Sequence, residues 1–173
     1  MRVHTGASAP PPVLRASACL LRRRERFVPA ALHNAAAMKV IVNVDGGARG
    51  NPGPAAAACV LRSPDGEILG EHAQLLGTVT NNVAEYRALL LGLARAQELG
   101  ADDVEVIGDS ELIAKQVQGV YKVRHAAMRP LYLQAMQALR QFEHWSIRTV
   151  PRAQNADADA LVNAALDQAA ASS

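Results

Sequence analysis

The chain has 173 residues, half of them hydrophobic and 20% charged, enough for one compact domain with a real core. Its two cysteines, Cys19 and Cys59, lie far apart in dissimilar surroundings, which excludes a disulfide framework or a zinc site and makes a reducing, cytoplasmic compartment the default. No apolar run reaches membrane-spanning length, so no membrane partner is expected and the chain reads as a monomer.

The net charge of +2 is split unevenly along the chain. Residues 1–37 hold six arginines against Glu25 alone, while the remainder holds 12 basic and 15 acidic residues, so the body is acidic and is no generic cationic binder of nucleic acid. Residues 1–37, with "SAPPPVL" and "LLRRRERF", lack sustained periodicity and read as a disordered extension; 38–173 read as the folded domain. The extension fits a targeting peptide, a nucleic-acid-binding arm, or an upstream start assignment with Met38 the working start, and the last is favoured.

"KVIVNVD" alternates, with Val40, Val42 and Val44 on one face and Ile41, Asn43 and Asp45 on the other, and predicts a first strand. A second strand over about Ala56–Leu61 and a third over Glu67–Leu76 flank Ser63-Pro64-Asp65-Gly66, a type I turn pattern. Asn82–Leu99 has helical period and stops at Gly100. "DVEVIGD" returns to strand period. A short helix from Ser110, a longer one over about Ala126–Phe142, the strand "HWSIRTV" and a helix from about Ala156 follow. The order β-β-β-α-β-α-α-β-α predicts an α/β fold: an antiparallel meander, then parallel strands reached by right-handed crossovers, with helices on both faces.

The plain reading of "DGGARGNPG" is an Asp-Gly turn. It is no phosphate loop: no Gly-Lys-Ser/Thr follows, and the segment leads to a strand rather than a helix. What raises Asp45 above a turn residue is "VEVIGDS", which delivers Asp109 at the end of a strand expected to run parallel to the first. Glu85 follows in "TNNVAE", where it could instead close a capping box with Asn82. Asp157 and Asp159 open the last helix on opposite sides of its apolar stripe, and periodicity does not choose between them. Clustered carboxylates repel one another unless cations neutralise them, and oxygen-only ligands suit Mg²⁺ or Mn²⁺ rather than zinc.

"VDGGARGNPGPAA", "TNNVAEYRALLLGL", "VIGDSELIAKQVQGVYKV" and "VPRAQNADADAL" resemble, in that order, the motifs of type 1 ribonuclease H, particularly its compact bacterial and archaeal branch. The resemblance spans Met38 to about Ala169. It implies a ribonuclease H-like mixed five-stranded sheet and an endonuclease that hydrolyses the RNA strand of RNA–DNA hybrids, leaving 5′-phosphate and 3′-hydroxyl ends. It assigns Asp45, Glu85 and Asp109 as catalytic metal ligands, and its Asn-x-x-Ala-Asp register chooses Asp159 as the fourth. Two Mg²⁺ or Mn²⁺ ions are then expected, bridged by Asp45, with Glu85 and Asp109 on the leaving-group ion and Asp159 on the ion that activates water.

Asn51, Asn81 and Asn82 match positions that contact the hybrid's minor groove, where amides can test for the 2′-hydroxyl. Ser110 could contact backbone or cap its helix; Lys115, Lys122 and Arg124 could hold the DNA strand's phosphates. The chain departs from the family twice. Only a short segment separates Val117 from Ala126, where many members carry a basic, tryptophan-bearing protrusion, so weaker substrate affinity is expected. The loop "PRAQN" lacks the histidine that many members place before the final acid, and Arg152 is the candidate substitute. Two other readings stand beside this one: a hybrid- or RNA-binding module without catalysis, and a different nuclease on the same fold.

Overall fold

The computed structural model describes residues 37–172, so the extension expected over 1–37 lies outside the described residues apart from its last one. Three strands, β1 (Lys39–Ala48), β2 (Gly53–Arg62) and β3 (Ile68–Val79), form an antiparallel meander. Helix α1 (Asn81–Glu98) leads to β4 (Asp103–Gly108); α2 (Glu111–Val117) and α3 (Arg129–Leu139) lead to β5 (His144–Thr149); a 3₁₀ turn at Arg152–Asn155 runs into α4 (Ala156–Ala171). The sheet order is β3-β2-β1-β4-β5, with β4 parallel to both β1 and β5. The expected fold and element order are therefore found.

Strand alternation sorts the core into two layers. Val40, Val42 and Val44 face α1 and join Leu89, Leu93, Val104 and Val106 in the larger cluster. On the other face, Ala56 and Ala58 of β2 leave room for Val162 and Leu166 of α4. The α1 layer is tight: a Cβ on Gly92 would lie 2.6 Å from Val42 Cγ1 and 2.9 Å from Val44 Cγ1. Helix α1 ends where Gly100 takes φ +79, its N–H donating to Gln97 O and that of Ala101 to Ala96 O, as the glycine predicted.

Several element ends differ from the sequence reading, among them α3, expected over about Ala126–Phe142 and found at Arg129–Leu139, and two of the differences bear on the site. β1 runs on through the glycines to Ala48, because β2 continues to pair with it as far as Ala48↔Ala55. Thr80, not Asn82, caps α1, its hydroxyl accepting from Val83 N–H at 3.4 Å. Glu85 therefore lies in the second turn and makes no capping box.

Candidate active site

The site lies where β1 outruns β4. The parallel ladder between them ends at Asn43↔Ile107, and counting two residues further brings Asp45 level with Asp109, just past the end of β4. Glu85 reaches them because Gly46 has no side chain: a Cβ there would fall inside the backbone of Ala84 and Glu85. The first glycine of "DGG" thus lets α1 rest on β1, and its N–H donates to the Glu85 carboxylate. The second, Gly47, meets α4 on the opposite face, where a Cβ would be 3.2 Å from Val162 Cγ1.

Asp45, Glu85 and Asp109 each offer a carboxylate oxygen, and these oxygens all lie within 4.8 Å of one another. Asp45 is 4% exposed and the other two are half-buried. Burial, then the charges of Asp109 and Asp159, push the Asp45 carboxyl up to about 7, with Arg152 pulling the other way. Burial, then Asp45 and Asp109, push Glu85 up to about 9 against the Gly46 hydrogen bond and Arg152. Asp45 and Glu85, which resist ionising, converge with Asp109 into a set of oxygen donors suited to a hard divalent cation.

The two acids that open α4 part company. Asp157 is exposed and pairs with Arg62 at the end of β2. Asp159 faces the triad closely enough to act on Asp45, pairs with Arg152, and accepts from Asn163 Nδ2 at 3.1 Å. Asp159 lies outside the set of three whose oxygens converge.

The triad opens into a polar cleft of about 300 Å³ lined also by Arg49, Asn81, Asn82, Ser110, Arg152 and Asn163. Asn51 and Asn81 are joined in series: Asn81 Oδ1 accepts from Ala48 N–H at 2.8 Å and Asn51 Oδ1 from Asn81 N–H at 3.1 Å. Both amides thereby spend their acceptors on the β1–β2 and β3–α1 connections and keep their NH₂ groups to donate. Asn82 is exposed and has no protein partner among the described residues. Ser110 caps α2, accepting from Ile113 N–H at 3.5 Å.

The basic residues divide. Lys115 is engaged by Glu111 and by Tyr121, whose ring centroid is 5.1 Å from its ammonium. Lys122 and Arg124 are exposed in the segment between α2 and α3, away from the cleft lining. Sequence reasoning passed over Arg49, which lines the cleft and pairs with Asp167, and Asn163. The spacing of Asn163, one turn beyond Asp159, was the available signal.

Comparison with known proteins agrees with this fold. The family described as reverse transcriptase-like matches residues 43–165. The structure of RNase H1 from Halobacterium salinarum aligns with TM-score 0.74 and 46% identity, over 75% of this chain and 98% of that one. The chain belongs to the type 1 ribonuclease H family. A further member, LC11-RNase H1 in complex with an RNA/DNA hybrid, aligns with TM-score 0.72 and 41% identity over 75% of this chain and 98% of its own. The bifunctional protein Rv2228c of Mycobacterium tuberculosis is 46% identical over 136 residues, which are 78% of this chain and 37% of that protein. The chain spans 37% of the length of Rv2228c and 63% of that of the ribonuclease HI of Halobacterium salinarum.

Proposed function

We propose that the chain is a ribonuclease H that hydrolyses the RNA strand of RNA–DNA hybrids, leaving 5′-phosphate and 3′-hydroxyl ends. The observation that carries the reading is the convergence of Asp45, Glu85 and Asp109 within 4.8 Å at the head of a polar, amide-lined cleft, in a member of this family. The solved relative bound to an RNA/DNA hybrid supports the substrate class.

Asp45, Glu85 and Asp109 would hold Mg²⁺ or Mn²⁺, with Asp159 completing a site for a second ion; bound there, such cations lower the pKa of an attacking water and stabilise the leaving oxygen. Asp45, central and with the least exposed side chain of the set, would be the ligand the two ions share. Arg152 neutralises Asp159 and moderates the carboxylate cluster before a cation arrives. Asn51, Asn81 and Asn82 present NH₂ donors to a 2′-hydroxyl, a group DNA lacks. Ser110 flanks the scissile phosphate, while Lys115, Lys122 and Arg124 supply positive charge to the DNA strand.

Each alternative reading meets one contrary feature, the acids for a pure binding module and the asparagine amides for a different nuclease on the same fold. Concentrated negative charge beside phosphate costs affinity and gains nothing without cations, and the amide donors favour a hybrid over duplex DNA. The test is to incubate the protein with matched labelled RNA–DNA, RNA–RNA and DNA–DNA duplexes in Mg²⁺, Mn²⁺ or EDTA. Cleavage confined to the RNA of the hybrid and stopped by EDTA is expected. Equal cutting of DNA–DNA, or cutting in EDTA, would overturn the reading.

A further inference from the structure

Asn155 is the N-cap residue of α4, yet its side chain makes no cap hydrogen bond. Asparagine is among the best N-caps because its oxygen reaches the free amides of the first turn. Here the amide is turned away from its own helix and into the sheet, where it is 2% exposed. Asn155 Nδ2 donates to Val44 O at 2.8 Å, and Asn155 Oδ1 accepts from Asn43 Nδ2 at 3.0 Å.

The position of that bond explains the forgone cap. The β1–β4 ladder stops at Asn43↔Ile107, while β1 continues beside β2 to Ala48 and β4 continues beside β5 to Gly108↔Thr149. The two central strands therefore part just before Asp45 and Asp109. A parting strand leaves a buried carbonyl without its ladder partner, a costly state unless another donor arrives. Val44 O is that carbonyl, and Asn155 supplies the donor. Asn43 fixes which end of the amide faces Val44, because it occupies the oxygen.

We propose that Asn155 is a positioning residue, which ties the start of α4 to the open end of β1 and thereby sets where Asp159 stands relative to Asp45 and Asp109. Asp159 lies four residues along the helix from Asn155, on the same face, about 6 Å further on. The residue bonded to Asn155 on the strand side, Val44, directly precedes Asp45. One buried amide thus spans the backbone anchors of two of the proposed metal ligands. The inference rests on the reading of Asp159 as a ligand under the proposed function.

The test uses the full chain and measures Mn²⁺ binding by calorimetry, without substrate, for Asn155→Ala, Asn43→Ala, Asp159→Asn and the double variant Asn155→Ala/Asp159→Asn. Asn155→Ala is expected to weaken Mn²⁺ binding by about 10–100-fold, as loss of a partner that orients a ligand does. In the Asp159→Asn background the same substitution should change affinity by less than about two-fold, because residues acting through one another are not additive. Full loss of affinity in that background would mean that Asn155 acts on general stability, and would overturn the proposal. Asn43→Ala keeps the Val44 bond and should weaken Mn²⁺ binding in the same direction by less; if Asn155→Ala does not fold and Asn43→Ala binds as the parent does, the role is merely structural and the proposal falls. On a hybrid substrate, kcat should drop in Asn155→Ala with KM held. A parent protein that binds Mn²⁺ but cuts no hybrid would refute the proposed function while the calorimetric cycle still judges Asn155.

Discussion

Gly46 lies directly beneath the backbone of Ala84 and Glu85, with no room for a Cβ between strand and helix. The contact is backbone on backbone, so no side-chain rotation can relieve an added methyl. Gly46→Ala should push α1 off β1 at the point where Glu85 meets Asp45. We expect a loss of at least about 1–3 kcal/mol in denaturant melts, the range of overpacked cores, together with weaker Mn²⁺ binding. Gly77→Ala is the contrast, since nothing lies within 4 Å of a Cβ there and only its φ of +69 resists substitution; it should lose stability but bind Mn²⁺ as the parent does.

The carboxyl cluster makes stability depend on pH in an unusual direction. Asp45 rises from 3.8 to about 7 and Glu85 from 4.5 to about 9, so between these limits the folded protein binds protons that the unfolded chain has released. Stability in EDTA should then fall as pH rises from about 4 towards 9, with a slope up to about 1.4 kcal/mol per pH unit for each group still titrating. Saturating Mg²⁺ should flatten that slope by stabilising the ionised carboxylates. Thermal melts across this range, with and without Mg²⁺, check both statements; a slope in EDTA unchanged by Asp45→Asn and Glu85→Gln would refute the assignment.

Among the described residues Met38 is the first with hydrogen bonds into the domain: its N–H donates to Asp102 Oδ2 at 2.9 Å and its carbonyl accepts from Asp102 N–H at 2.9 Å. A chain beginning at Met38 keeps both groups, and its new amino terminus can still donate to Asp102. Residues 38–173 should melt cooperatively within a few degrees of the full chain and cut the hybrid at a comparable rate. A non-cooperative melt would show that the preceding residues belong to the fold.

Much of this arrangement was legible in the sequence because it rests on periodicity and on ordered motifs. Val40, Val42 and Val44 alternate as a half-buried strand must, and Asp45 and Asp109 each follow such a run. What the sequence hid is contact between residues distant along the chain. "DGG" reads as a turn until α1 is seen resting on Gly46, and nothing local in the sequence shows Asn155 reaching Val44 O. The choice between Asp157 and Asp159 needed motif register, since both flank the buried stripe of Ala158 and Val162.

The exposed cations between α2 and α3 give a prediction about affinity rather than chemistry. Lys122 and Arg124 are exposed and lie away from the carboxylates. Lys122→Gln and Arg124→Gln should raise KM with kcat unchanged, and each should reduce the salt slope of hybrid binding by about one, the signature of a lost phosphate contact. Lys115, already engaged by Glu111 and Tyr121, should contribute less than either. Titrations of labelled hybrid at several salt concentrations distinguish the three.

Asp157 and Asp159 separate the proposed metal site from the scaffold that carries it. Asp157 is paired with Arg62 on β2, across an exposed surface where such pairs contribute little. Asp157→Asn should cost at most about 1 kcal/mol through that pair and the helix dipole, and hybrid cleavage should stay within a few-fold of the parent. Asp159 instead adds its charge to the field that raises Asp45 and is held by Arg152 and Asn163. Asp159→Asn keeps the size and the Arg152-facing oxygen but removes that charge. Cleavage at saturating Mg²⁺ should therefore collapse while the fold is retained, and relief of repulsion at Asp45 should leave melting in EDTA unchanged or improved. Melts and cleavage assays run on both variants with one hybrid decide it: an inactive Asp157→Asn beside an active Asp159→Asn would place the fourth ligand on the other side of the helix.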